Sequence, residues 1–291
     1  MIDTHCHLEQ KQYNQDRDKI IEACKKSLKA VVTSCANPKD FDLSLLISEK
    51  HKDFVFLSAG LHPEYIKEIS QKEKDEYLEK IKENKNKIVA VGEIGLDYFW
   101  IHENELKEKQ REQFKEMISF SKEIKKPLVI HSRNSNEDLV KILEDEDAKK
   151  VLLHMFNGKD LLNRVVENNW LVSISFLIKR SKDYRKVAKL LPLENIVLET
   201  DAPWNGIQIL EKDFSEKFLK ENLNILGNLP TTQLEEPLIM KIKDGWITLR
   251  NTPLAIKPAA EKIAEEKGLS FEEVWKKCGE NAEKFLGLKR E

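Results

Sequence analysis

Eight short apolar runs, each followed by a longer stretch of helical spacing, constrain the fold of this chain more than any other feature. The runs lie at 1–6, 30–35, 54–59, 88–92, 128–131, 151–154, 171–175 and 196–199. Between them, apolar residues recur three and four apart, as at Ile20, Ile21, Cys24 and Leu28 in the first interval. Strands that alternate with helices pair in parallel, because each helix must cross back over the sheet. Eight such units predict closure into a (β/α)8 TIM barrel, an α/β fold whose site lies at the C-terminal mouth of the strands. A doubly wound open sheet is the structural alternative, but no G-x-G-x-x-G follows the first run.

The rhythm breaks after the eighth run. Residues 204–250 hold a charged helical stretch (210–223) and a possible strand pair (238–242 and 246–249) around Asp244-Gly245. We read 1–291 as one barrel carrying 204–250 as an insertion after the eighth strand, with two further helices at 254–266 and 271–285.

Residues suited to metal chemistry gather where these strands end. The first ends His5-Cys6-His7, and residues two apart on a strand share a face. His62 follows the third, Glu93 and Asp97 the fourth, and His131 and Arg133 the fifth. His154 ends the sixth and Asp201 follows the eighth. Five of the 7 histidines thus fall at strand ends; His51 and His102 read as surface residues. Singly, each has a bland explanation: a hydrogen-bonded core histidine, a cap or a turn. Their joint register at one barrel mouth instead describes the donor set of a divalent-metal site.

His5-x-His7, GLHP at 60–63, GEIGLDY at 92–98, IHSR at 130–133, LLH at 152–154 and LETDAP at 198–203 together resemble the TatD family of metal-dependent deoxyribonucleases, within the amidohydrolase superfamily. The resemblance runs to about Pro203 and resumes at Arg250-Asn251-Thr252-Pro253 and near the C-terminus. It implies two divalent ions (zinc, manganese or magnesium), one held by His5, His7 and Asp201 and the other by His131 and His154, with Glu93 as the bridge. The 204–250 stretch is longer than the family pattern leads one to expect, so it can reshape the mouth.

In such a site Asp201 is the candidate to orient the attacking water and take its proton, and Glu93 joins it as a catalytic group. His62, Arg133 and Asp97 are candidate substrate contacts: His62 binds a phosphate or orients the ligands from behind, Asp97 orients ligands or substrate, and Arg133 has a fork that matches phosphate oxygens, an ordinary surface ion pair being its plain alternative. Lys179, Arg180 and Lys182, after the seventh strand, are candidate DNA contacts; a solvated charge run is the plain alternative. The expected activity is hydrolysis of phosphodiester bonds in DNA, of exonuclease type. The alternative is a small-molecule amidohydrolase, deacylase or lactonase on the same barrel. A metal-binding protein without turnover is a third reading, disfavoured by so complete a donor set.

Charge and cysteine usage set the outer limits. Lys plus Arg is 49 and Asp plus Glu 51, a net charge of −2, which excludes a globally basic nucleic-acid binder. Cys6, Cys24, Cys35 and Cys278 are scattered and form no C-x-x-C, as expected of reduced thiols in the cytoplasm. No apolar run is long enough for a membrane span, the first ten residues show no leader pattern, and no obligate protein partner is evident.

Overall fold

The computed structural model describes residues 1–223, 239–241 and 243–288. Its centre is a sheet of eight parallel strands in the order of the chain: β1 (Ile2–Cys6), β2 (Ala30–Cys35), β3 (Val55–Ala59), β4 (Ile88–Asp97), β5 (Leu128–Arg133), β6 (Val151–Leu153), β7 (Leu171–Ile174) and β8 (Ile196–Leu198). Helices α1 (Arg17–Lys25), α2 (Phe41–Lys50), α3 (Gln71–Glu83), α4 (Asn104–Ile124), α5 (Asn136–Asp145), α6 (Leu162–Glu167) and α7 (Lys182–Leu190) alternate with the strands. This is the barrel that the strand rhythm predicts. Its seam is closed just beyond the strand ends, where Asp201 N–H donates to the His5 carbonyl at 2.9 Å and His7 N–H to that of Ala202 at 2.7 Å.

Two apolar layers hold the barrel. The larger lies between strands and helices. The smaller draws Ile2, Val32, Ala90, Val129, Leu152 and Val197 from the strands and is completed by Ala282 and Leu286. The last two belong to the final helix, which therefore caps the N-terminal end of the barrel. Two residues further along the same faces stand His131 after Val129, His154 after Leu152 and Glu199 after Val197. The polar site is thus the next layer above an apolar plug.

On β1 and β4, simple alternation fails. The pairing of β1 with β2 shifts by one residue between Asp3 and Cys6, and that of β4 with β5 between Val91 and Ile94. Such irregularities re-aim side chains, and here they bring His5 and Glu93 into the layer of His131 and His154.

β4 also runs five residues beyond its expected end at Gly92. The glycines that read as a turn mark close backbone approach instead. Gly95 has φ +142°, and a Cβ there would lie 2.0 Å from the His131 carbonyl oxygen. The start of α3 is set by a capping box between Ser70 and Glu73.

After β8 the chain forms β9 (Gln208–Leu210), α8 (Glu216–Leu223), β10 (Ile239–Lys241) and β11 (Trp246–Leu249). These strands make a small antiparallel sheet in the order β10-β11-β9. The expected helix over 210–223 is therefore shorter, since Leu210 pairs with Trp246. The expected strand pair is present, with Asp244 and Gly245 both at positive φ, although Leu238 and Ile242 lie outside the described residues. Two helices follow, α9 (Ile256–Lys267) and α10 (Phe271–Leu286). No helix among the described residues is long and apolar enough to cross a membrane.

Between β11 and α9, Arg250-Asn251-Thr252 ties the seam. Arg250 is fully buried and makes a two-pronged pair with Asp16, at 2.8 and 2.7 Å. The Asn251 amide donates to the Thr200 carbonyl at 2.9 Å, and Tyr13 donates to the Asn251 carbonyl at 2.7 Å. His51, expected at the surface, is buried: its ring packs at the end of α2 while Nε2 reaches Asp18 at 2.9 Å. His102 is exposed as expected.

Candidate metal centre

Four imidazoles meet two carboxylates at the barrel mouth, in a cavity of about 850 Å³. The Nε2 atoms of His5 and His7 are 3.2 Å apart. The two oxygens of Glu93 divide the group between them. Oε2 lies 3.3 Å from His5 Nε2 and 3.8 Å from His7 Nε2. Oε1 lies 2.8 Å from His131 Nδ1 and 3.7 Å from His154 Nε2. Asp201 Oδ1 is 3.3 Å from His7, 3.7 Å from His5 and 4.0 Å from His154.

In each ring, the nitrogen turned away from this centre meets a polar atom of the protein. His7 Nδ1 donates to the Ser34 carbonyl at 2.8 Å, and His5 Nδ1 is 3.1 Å from the Ser34 hydroxyl. His154 Nδ1 donates to Glu199 at 2.8 Å, and Glu199 also accepts from Ser173 at 2.6 Å. His131 Nε2 donates to Asp97 Oδ2 at 3.0 Å. Anchoring of this kind fixes the ring orientation, so that the other nitrogen faces the centre, where a cation would take the place of any proton it carries.

His62 is built the opposite way. Its Nδ1 accepts the backbone N–H of Glu64 at 3.2 Å, so the neutral ring carries its proton on Nε2. That Nε2 lies 3.5 Å from Glu93 Oε1. In this tautomer His62 is a hydrogen-bond donor at the edge of the centre, although its atoms fall within ligand distance of Glu93 and His131.

The electrostatics follow from burial among opposite charges. Burial works against ionising Glu93, but His62, His5 and His154 hold its carboxyl well below the usual range. Asp201 is likewise lowered against burial by His7 and His154. Burial lowers His5, and the neighbouring His154 adds to this. His154 is driven the other way, to about 9, because Glu199 and Glu93 outweigh its burial. Two anionic carboxylates among imidazoles with anchored outer edges form a donor set suited to divalent cations.

The other predicted residues fall into two groups. Arg133 lines the cavity, its guanidinium 3.9 Å from the centre of the Phe99 ring. Asp97, expected to orient ligands or substrate, is held against the protein: Oδ2 meets His131, and Oδ1 accepts from the N–H groups of Phe99 and Trp100 at 2.9 and 3.0 Å. Lys179, Arg180 and Lys182 are exposed and do not line the cavity. Of these, Arg180 reaches the Asn205 carbonyl at 3.3 Å.

Sequence reasoning missed Ser34, Glu199 and Asn205. Strand parity could have found the first two, since Ser34 follows Val32 and Glu199 follows Val197 on inward faces. Asn205, which donates to Asp201 Oδ2 at 2.6 Å, carries no such signal. Asp201 itself has φ +55°, a left-handed conformation that is uncommon for a non-glycine residue.

Comparison with known proteins gives a consistent result. The family model described as TatD related DNase matches residues 2–287. The human protein named Deoxyribonuclease TATDN3 is 30% identical, over 98% of this chain and 94% of its own length. A Bacillus subtilis protein named uncharacterized metal-dependent hydrolase YabD is 30% identical over 99% of both chains. The crystal structure of YJJV, a TATD homolog from Escherichia coli K12, superposes with a TM-score of 0.77 at 21% identity, over 99% of this chain and 98% of that one, and shares the fold.

Proposed function

The chain belongs to the TatD related DNase family of hydrolases, and from that premise we propose that it is a metal-dependent deoxyribonuclease that removes nucleotides from DNA ends. His5, His7 and Asp201 would hold one divalent cation and His131 and His154 a second, with Glu93 between them. The observation that carries this reading is the division of the two Glu93 oxygens between the His5–His7 pair and the His131–His154 pair. Four imidazoles suit zinc, while the carboxylates also admit manganese or magnesium. Cations bound there lower the pKa of a water and withdraw charge from the phosphate.

The chain's own groups do the rest. A water oxygen bonds to phosphorus, the water's proton passes to Asp201, the P–O bond to the leaving sugar breaks, and the released sugar oxygen takes up a proton from solvent. Asn205 holds the second oxygen of Asp201, which keeps the first turned towards the histidines. His62 Nε2–H donates to a phosphate oxygen, and the Arg133 fork grips another. Lys179, Arg180 and Lys182 lie outside the cavity and serve only DNA that extends past the rim. Four unpaired, buried thiols support a cytoplasmic setting.

The test is turnover, side by side, of single-stranded DNA, duplex DNA, RNA and panels of small esters and amides with Mg²⁺, Mn²⁺ and Zn²⁺. The reading expects shortening of DNA from its ends. Turnover of an ester or amide without any cleavage of DNA would overturn it in favour of a small-molecule hydrolase.

A further inference from the structure

Three large aromatic side chains remain in solvent at the cavity wall. Phe99, Trp100 and Trp204 are 39%, 48% and 40% exposed, and all three line the cavity. Phe99 and Trp100 are not loosely placed. Asp97 accepts both of their backbone N–H groups through one oxygen while its other oxygen meets His131. A single carboxylate therefore sets the turn after β4 at a fixed distance from the histidines.

The guanidinium of Arg133 completes this wall. It lies 3.9 Å from the Phe99 ring centre and 5.5 Å from that of Trp100, and the two rings meet edge to face at 4.8 Å. Among the described residues Arg133 is the only lysine or arginine that lines the cavity, and it makes no ion pair with a carboxylate. Stacked guanidinium keeps its N–H edge for an anion. β4 and β8 are four strands apart in an eight-stranded ring, so the turn bearing Phe99 and Trp100 and the loop bearing Trp204 rise on opposite sides of the mouth.

We infer that this wall is a nucleobase subsite: Trp100 stacks on one unpaired base, Phe99, set edge to face against Trp100 and covered on one face by Arg133, borders it, Trp204 bounds it from across the mouth, and Arg133 binds a phosphate oxygen of the same nucleotide. The inference rests on the nuclease reading and adds to it the residues that hold the base. Stacking on a preset aromatic surface accepts any base, since each has a π-face, and loses little to ordering.

Two measurements test it. In the first, metal-free protein is titrated with dAMP and with 2-deoxyribose 5-phosphate while tryptophan fluorescence is followed. Quenching by dAMP alone, lost in Trp100→Leu, is expected; no quenching, or equal quenching by both probes, overturns the subsite. In the second, the metal-loaded enzyme cleaves oligonucleotides whose terminal residues are ordinary or abasic. The wild type should favour ordinary ends in kcat/KM by roughly five- to hundredfold. The Phe99→Ala/Trp100→Ala variant should lose that preference. Should this variant fail to fold, the ratio is read in Trp100→Leu and Trp204→Leu. DNA cleavage that ignores the terminal base, or a preference intact in the variants, overturns the subsite and leaves the nuclease reading standing. Base-dependent quenching in a protein that cleaves no DNA overturns the nuclease reading and keeps the subsite as one for a nucleotide.

Discussion

Glu199 accepts a hydrogen bond from His154 Nδ1 at 2.8 Å, and the opposite nitrogen of that ring faces Glu93 and Asp201 at 3.7 and 4.0 Å. One buried carboxylate therefore decides which nitrogen of His154 is offered to a cation. Replacing such an anchor costs on the order of 10- to 100-fold in metal affinity. Glu199→Gln should lower metal affinity in that range while keeping the thermal midpoint near wild type. Metal titration of the apo-protein reads the affinity; an unchanged affinity would make Glu199 a core residue only.

Glu93→Gln has a larger effect. The neutral amide cannot balance two dications, and its NH₂ nitrogen has no lone pair to offer a cation. Turnover should vanish and metal content fall. Wild-type activity in a folded Glu93→Gln protein would falsify the two-cation arrangement.

Asp201→Asn separates catalysis from binding. Its rate should drop by about 10²–10⁴ if Asp201 receives the proton. Much of the metal should remain, because His5, His7 and Glu93 are untouched. Elemental analysis beside single-turnover rates distinguishes the two effects, and an unchanged rate would reduce Asp201 to a turn residue.

Arg250 is a stability prediction. It is fully buried and its loss leaves Asp16 without the partner at 2.7 Å. Breaking a buried pair by removing one member costs about 3–5 kcal/mol. Arg250→Ala should therefore lower denaturant resistance by that order. A loss below about 1 kcal/mol would show that the seam is held without it.

The four cysteines should be silent to thiol reagents in the native state. Burial raises all four thiols, Cys35 and Cys278 to about 12. A raised pKa leaves the thiol protonated, and the thiolate is the reactive form, so at about pH 8 a thiol of pKa 12 is ionised roughly once in ten thousand molecules. Native protein should release no colour with an aromatic disulfide reagent, and unfolded protein four equivalents. Fast labelling of even one native thiol would contradict the burial.

The sequence by itself determined the barrel and most of the residues at its mouth. Strand parity is a local property of the chain, so Val129 with His131 and Leu152 with His154 could be read two residues apart without coordinates. Three things needed the tertiary structure. The irregularities in β1 and β4 override parity, because register depends on the neighbouring strand, and they bring His5 and Glu93 inward. The tautomers of His62 and His131 depend on Glu64 and Asp97, whose positions relative to the rings come from loop geometry and cross-strand packing. Lys179, Arg180 and Lys182 follow a strand end as the sequence says, yet the chain turns into α7 there and leaves all three outside the cavity. A strand end specifies which rim a residue reaches; only the packed loops decide whether it faces the cavity or the solvent.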